Sequence, residues 1–519
     1  MHAASVLRAA PTRLVAAALI AALAHPGSGA AQAADPGMEK RVADLVPGLE
    51  AYVGANMKAF DVPGAAIGIV VGDKLVYGKG FGVRKKGGAP VDERTVFQIG
   101  STTKAFLATT IAIAVDRGKL AWDDRVVDLH PGFQMKDPWV TREFRVFDLL
   151  AQRSGLPPYA NDVLSFLGYD EAAMIGSLRH VEPVSSFRTT FAYTNITHLL
   201  AGRIVAAREG AADWNALLKK ELLEPLGMDE TSWTAAAIAA APNHAEGYMF
   251  DPGGSVAVPF TQGFPYDLGG AGDINSSVED MQHWLRLQVG DGVFEGRRLV
   301  SSESLAFTRT PKVARDQKAS YAYGWVTYAT PNGTLVWHNG GTNGFGAFVG
   351  LQLDRKVGLV ILSNQGNVGF PDAVGLWAMD RLMGNPEVDY AALLLTSAKA
   401  KNAEDTKLWA KPAAPRPFPP LAPLAGSYSS PVFGKAELRV DGDGLVMRLA
   451  AVGAELKLEP WDGGIMTARL LPDGKFAAVV ASSGPNPFAF VEPQMDGKGQ
   501  LSILRLSFDD GQAYEFRRE

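Results

Sequence analysis

Apolar and polar positions change rhythm several times along this chain. From Met38 to Phe60, Val42, Leu45, Val46, Leu49 and Val53 fall near helical spacing, which predicts a helix. Pro63-Gly64 ends it. Ala65–Val71 and Lys74–Gly80 are two apolar, β-rich runs joined by Gly72-Asp73, a hairpin signal. Phe97-Gln98-Ile99-Gly100 leads into a helix predicted over Ser101–Asp116, closed by Arg117-Gly118. Residues from about 120 to 310 read as mostly helical, with many Gly, Pro, Asn and Asp breaks. Strand patterns return at Tyr323–Tyr328, Thr334–His338, Gly346–Leu353 and Val357–Ser363. Together these elements predict an α+β domain. An antiparallel sheet takes its strands from both ends, helices flank it, and a helical subdomain is inserted between.

The rhythm changes again near the C-terminus. Lys399 to Pro423 is rich in Ala, Lys and Pro and reads as a semi-rigid linker. Beyond it come eight short β runs: Ala436–Val440, Leu445–Leu449, Leu456–Pro460, Met466–Leu470, Phe476–Val480, Phe488–Val491, Leu501–Ser507 and Ala513–Arg517. Asp/Gly-rich turns separate them, which predicts a small closed β-barrel. The expected division is a leader at 1–33, a main domain at 34–395, a linker at 396–423 and a barrel at 424–519.

The leader changes the picture of where the protein works. Arg8 and Arg13 precede an apolar run from Leu14 to Ala24, followed by small residues through Ala31-Gln32-Ala33. This is the pattern of a secretory signal with an A-x-A cleavage site. The apolar run is too short to span a bilayer. The expectation is a secreted protein of the bacterial periplasm, without stable membrane insertion.

Composition narrows the chemistry. The chain of 519 residues is 47% hydrophobic and 20% charged, which excludes a disordered chain. A net charge of −5 excludes a broadly basic nucleic-acid binder. The chain has no cysteine, so disulfides, thiolate metal sites and cysteine nucleophiles are excluded. The eight histidines are scattered without H-x-x-x-H pairing, so no metal and no other cofactor is expected. Gly269-Gly270-Ala271-Gly272-Asp273 lacks the lysine of a phosphate loop, and no G-x-S-x-G surrounds a serine. His198 reads as a packed polar side chain, and Trp325, Trp337, Tyr159 and Phe345 read as core aromatics.

One constellation carries chemistry. Ser101-Thr102-Thr103-Lys104 opens an apolar helix, with Lys104 one turn below Ser101. The helix N-terminus favours negative charge developing at Ser101 and disfavours positive charge nearby. A desolvated Lys104 could take the serine proton. Tyr193-Thr194-Asn195 precedes another helical run. A tyrosine hydroxyl near Lys104 could serve as base, its pKa held down by the lysine charge. Asn195 could orient Lys104 or bind a substrate carbonyl. His338-Asn339-Gly340-Gly341 ends a strand expected to border a cleft, and its glycines allow close backbone approach. A backbone N–H there, paired with that of Ser101, would form an oxyanion hole.

These residues resemble the serine β-lactamase and penicillin-binding-protein group, with its S-x-x-K, S-D-N and K-T-G motifs. The nearest branch is that of class C β-lactamases, D-Ala-D-Ala carboxypeptidases, D-aminopeptidases and related esterases. There the middle motif is Y-x-N, matched by Tyr193-Thr194-Asn195. The third motif is H-x-G in several members, matched by His338-Asn339-Gly340. Phe147-Asp148-Leu149-Leu150, Ser154-Gly155-Leu156-Pro157, Leu223–Met228 and Gly344-Phe345-Gly346 add to the likeness, which covers about residues 38–385.

The resemblance implies that Ser101 is the acylated nucleophile. Lys104 and Tyr193 share acid–base work. Asn195, His338, Asn339 and Gly340 face substrate, and the N–H groups of Ser101 and Gly341 form the oxyanion hole. His338 stands where β-lactamases carry a lysine beside the substrate carboxylate. A histidine near its ordinary pKa is only partly charged at neutral pH. Ala151-Gln152-Arg153 departs from the usual T-H-T, and no loss of catalysis is assigned to that. The text from Leu424 onward resembles a lipocalin-like barrel.

The leading expectation is an exported serine hydrolase acting through an acyl-enzyme at Ser101 on a small amide, a short peptide (D-residue peptides included) or an ester. The alternatives are a β-lactamase proper and a non-catalytic peptide-binding or sensor protein. The oligomeric state is left open.

Overall fold

The described residues of the computed structural model begin with the helix Pro36–Phe60, which buries Met38, Val42, Leu49, Val53 and Phe60. The structure describes residues 36–519 except 252, 485, 509 and 510. The expected signal at 1–33 lies outside the described residues.

Eight antiparallel strands form an open sheet in the order Lys74–Gly82, Gly64–Val71, Val357–Ser363, Gly346–Gln352, Gly333–Gly341, Val326–Thr330, Ala319–Tyr321 and Val313–Ala314. The N-terminal hairpin pairs with the last strand of the domain, Ala65 against Ser363 through Val71 against Val357. Strands from both ends therefore share one sheet. Gly64–Val71 and Val357–Ser363 are buried at every position, so both faces are covered. The helices Pro36–Phe60 and Phe370–Met383 pack with one face. The helices Thr103–Asp116 and Val278–Val289 cover the other. Between residues 120 and 310 the chain forms mostly short helices, the helical subdomain.

Two strand boundaries differ from the sequence reading. The strand expected from Tyr323 begins at Val326. Gly324 (φ +74°) makes a turn before it, so close to helix Thr103–Asp116 that a Cβ there would lie 2.5 Å from the Lys104 carbonyl oxygen. The strand expected to end at His338 continues to Gly341.

The C-terminal region is a closed eight-stranded barrel. Its last strand, Ala513–Arg518, pairs back onto its first, Gly426–Ser430. The strand count matches the sequence reading, but one member differs. Phe476–Val480 is not a strand: a 3₁₀ turn at Gly474–Phe476 runs into the helix Ala477–Ser483. A short apolar run does not by itself distinguish strand from helix. The eighth strand is Gly426–Ser430, whose Gly-Ser-Tyr-Ser-Ser text has no apolar alternation. Pairing with Gly434–Asp441 and Ala513–Arg518 makes it a strand.

The segment read as a linker is also more ordered than expected. Tyr390–Leu408 is a helix, capped by Asp389, whose carboxylate accepts from the Ala392 N–H at 3.0 Å. Ala, Leu and Lys are strong helix formers, and the prolines that stop a helix begin only at Pro412.

Candidate active site

Ser101 lies in a 3₁₀ turn, Gly100–Thr102, at the head of the helix Thr103–Asp116. The strand Gly333–Gly341 runs against this turn at very short range. A Cβ on Gly340 would sit 1.9 Å from the Ile99 carbonyl oxygen and 3.1 Å from the Ser101 nitrogen. A Cβ on Gly100 (φ +50°) would sit 2.7 Å from the Gly341 nitrogen. Only glycine at these positions lets the strand end and the serine turn meet. Ser101 itself stays partly exposed.

Lys104 is fully buried one turn on. Its Nζ lies 3.1 Å from Ser101 Oγ, 2.7 Å from Asn195 Oδ1 and 2.7 Å from the Ala271 carbonyl oxygen. Burial pulls its pKa down to about 7, against the opposing charges of Asp162 and Asp273. The geometry suits the neutral amine. Its two N–H bonds can go to Asn195 and Ala271, which turns the lone pair toward the serine hydroxyl.

The Tyr193 hydroxyl lies near Ser101, whose side chain favours its ionised form. Its ring centroid lies 4.7 Å from Lys104 Nζ. Burial pushes its pKa well above the ordinary tyrosine value. The expected lowering by the lysine charge is therefore not found. Desolvation of the buried phenolate dominates instead. Tyr193 is a neutral phenol, suited to donate or relay a proton.

Gln152 fastens the tyrosine segment. Its side chain accepts from the Thr194 N–H at 2.6 Å and donates to the Thr194 carbonyl at 3.1 Å. Its own carbonyl accepts from the Ala192 N–H at 2.9 Å. Gln152 adopts φ +54°, a left-handed conformation these bonds help to hold. The departure at Ala151-Gln152-Arg153 thus carries a structural job in this chain.

Asn195 is buried and donates from Nδ2 to Asp162 Oδ2 at 2.5 Å. This bond orients the amide with its oxygen toward Lys104. His338 is buried, with Nε2 3.0 Å from the Tyr321 hydroxyl and Nδ1 2.5 Å from the Asn339 carbonyl oxygen. Burial, then the nearby Lys104, lower its pKa to about 3. The expectation of partial charge at neutral pH is corrected: the ring is neutral. Asn339 donates to Asp372 at 2.7 Å, and Asn367 ties Asp372 to the Gly340 carbonyl at 2.9 and 3.1 Å. Gly341 is exposed at the end of its strand.

The structure thus brings Ser101, Lys104, Tyr193, Asn195, Gly340 and Gly341 together, with His338 beside them. Sequence reasoning missed Asp162, Ala271 and Gln152. The glycine run around Ala271 was the available signal: Gly270 (φ +75°) packs so close to the helix of Lys104 that a Cβ there would lie 3.1 Å from Leu107. Among the expected core aromatics, Trp325, Trp337 and Phe345 are buried. Tyr159 is 49% exposed and lies beside Tyr193, with ring centroids 5.6 Å apart. His198 is fully buried in its helix. Among the described residues, no cluster of His, Asp or Glu could hold a metal ion, and no helix is long and apolar enough to cross a membrane.

The family model described as Beta-lactamase matches residues 49–382. The chain belongs to the beta-lactamase family. The family's fold, an antiparallel sheet flanked by helices, is the one described above, and its members include serine hydrolases and penicillin-binding proteins. The chain is 27% identical over 316 residues to the Unguisins hydrolase ungD' of Aspergillus campestris, covering 57% of each protein. It thus spans little more than half of that relative. It is 27% identical over 386 residues to Penicillin-binding protein 4 of Amycolatopsis lactamdurans, covering 71% of this chain and 93% of that one. The octameric penicillin-binding protein homologue from Pyrococcus abyssi superposes with a TM-score of 0.59 at 24% identity. That match covers 91% of this chain and all of the other, and at this identity it speaks for the fold alone.

Proposed function

We propose that this chain is an exported serine hydrolase that forms an acyl-enzyme at Ser101. Its substrates are small amides, short peptides including those with D-residues, or esters. One observation carries the reading: Lys104 is buried, lowered to about 7, and held by two acceptors with its third position toward Ser101 Oγ. A surface lysine near a capping serine would have none of these properties.

The mechanism follows from the geometry. Neutral Lys104 takes the Ser101 proton as Oγ attacks the substrate carbonyl. The N–H groups of Ser101 and Gly341 receive the developing oxyanion. Tyr193, held as a phenol, gives its proton to the leaving group and is reprotonated by Lys104, which returns to the neutral amine. Water then attacks the acyl carbon, with the same residues returning the proton to Ser101. No cofactor takes part.

A neutral His338 offers no charge to a substrate carboxylate, which ranks β-lactamase activity second. A non-catalytic sensor ranks third, since a peptide binder gains nothing from a lysine held at this pKa. The names of a hydrolase and a penicillin-binding protein among the relatives support a serine hydrolase in general.

The test is a screen of D-peptides, p-nitrophenyl esters and nitrocefin with intact-mass detection of the adduct. The expected result is an acyl adduct that Ser101→Ala abolishes. Unchanged turnover in that variant refutes the mechanism, and rapid nitrocefin hydrolysis promotes the β-lactamase reading. Export is tested by N-terminal sequencing of the protein from a periplasmic fraction, with cleavage expected after Ala33.

A further inference from the structure

The loop that holds Asn195 in place is itself held from outside the catalytic region. Tyr159 and Asn161 both adopt left-handed backbone, at φ +57° and +58°. For tyrosine this conformation costs about 1–2 kcal/mol. It persists because its neighbours fix it. Gln512, beside the last barrel strand, accepts from the Asn161 N–H at 3.1 Å and donates to the Tyr159 carbonyl at 3.1 Å. Tyr514, in that strand, donates its hydroxyl to Asn161 Oδ1 at 2.8 Å. Tyr514 and Asn161 are both buried.

From this loop two short routes reach the centre. Tyr159 donates its N–H to the Tyr193 carbonyl at 2.6 Å. Asp162, next in the chain after Asn161, accepts from Asn195, which accepts from Lys104. A second barrel contact touches the opposite wall. Ser482 Oγ, in the helix Ala477–Ser483, accepts from Asn343 Nδ2 at 3.0 Å, two residues past Gly341.

We propose that the C-terminal barrel is a positioning element of the active site, with Gln512 and Tyr514 fixing the Tyr159–Asp162 loop and through it the placement of Tyr193 and Asn195. The barrel then acts on the chemistry without touching substrate. This inference rests on the acyl-enzyme reading above.

The physical consequence is specific. If the loop relaxes, Asn195 loses its anchor and water gains access to Lys104. The amine then returns toward the ordinary lysine range, because burial is what lowers it.

The experiment uses the full chain with Tyr514→Phe, which removes one hydroxyl, and Gln512→Ala. Lys457→Ala, which removes a barrel ion pair with Asp441, is the control. Pre-steady-state acylation by a p-nitrophenyl ester is followed from pH 5 to 10, with melting temperature measured in parallel. The loop variants are expected to acylate roughly 10- to 100-fold more slowly at saturating ester. Their acid limb should move above the wild-type value of about 7. The control should match wild type in both. Loop variants that keep the wild-type rate and pH profile overturn the proposal, even if their melting temperature falls. A wild-type chain that no ester acylates at Ser101 overturns the acyl-enzyme reading, and this inference with it.

Discussion

The open sheet and the closed barrel each have eight strands, but they leave different backbone free. In the barrel the last strand pairs onto the first, so every strand has two neighbours. Closure removes edges and with them unpaired backbone donors. In the open sheet, Gly333–Gly341 loses one neighbour beyond Trp337, which pairs with the first residue of Val326–Thr330. From His338 to Gly341 the strand pairs on one side only. The Ser101 turn lies against that stretch. A site made of backbone N–H groups forms where pairing stops. The barrel meets the catalytic loop through two side chains, Gln512 and Tyr514.

Predictions that strain this contrast are ordered here by size. Ser101→Ala should lower turnover on the order of 10⁶-fold. Intact-mass spectrometry should find no adduct on any barrel serine, and an adduct there would break the contrast at once. Lys104→Met should slow acylation by roughly 10³-fold. In the wild-type chain the acylation rate should rise with pH through about 7, the value to which burial brings Lys104. The sign follows from the lowered pKa: the neutral base is present above that value and lost below it. His338, near 3, adds no second limb between pH 5 and 9. A stopped-flow pH series checks both points.

Two glycines sharpen the comparison on the side of stability. Gly340→Ala places a methyl 1.9 Å from a backbone oxygen, so the strand end must shift away from Ser101. The expected cost is about 3 kcal/mol in urea unfolding, together with loss of acylation. In the barrel, Gly453 has φ +74° with open space around its missing Cβ. Gly453→Ala should cost only about 1 kcal/mol, from backbone conformation alone, and leave acylation intact. Smallest of all, Lys457→Ala breaks a partly exposed ion pair at 2.7 Å and should leave the urea-unfolding midpoint essentially unchanged.

Elements with a strong local signal were legible along the chain. The helix ending at Phe60, the hairpin around Gly72-Asp73 and the Val357–Ser363 strand carry their pattern in their own residues. Gly426–Ser430 does not, because its strand character comes from the two strands beside it. Phe476–Val480 was misread for the opposite reason: five residues that suit either state carry no period long enough to decide. The site divides the same way. Ser101 and Lys104 share one helix start, so their spacing announces them. Ala271 and Asp162 sit far away in sequence, and folding alone brings them to Lys104 and Asn195.

By itself the sequence determined the α+β class, the closed barrel, and the residue types that can act as nucleophile, base and strand-end donor. Those follow from periodicity and from chemistry written into single side chains. The tertiary structure decided their states. Burial pulls Lys104 down and pushes Tyr193 up, and with Lys104 nearby it keeps His338 neutral. A pKa depends on the solvent and charges a group has lost or gained, and only the packed chain sets those. The structure likewise decided that the barrel reaches the catalytic loop, since a hydrogen bond between Asn161 and Tyr514 joins positions that no local pattern relates.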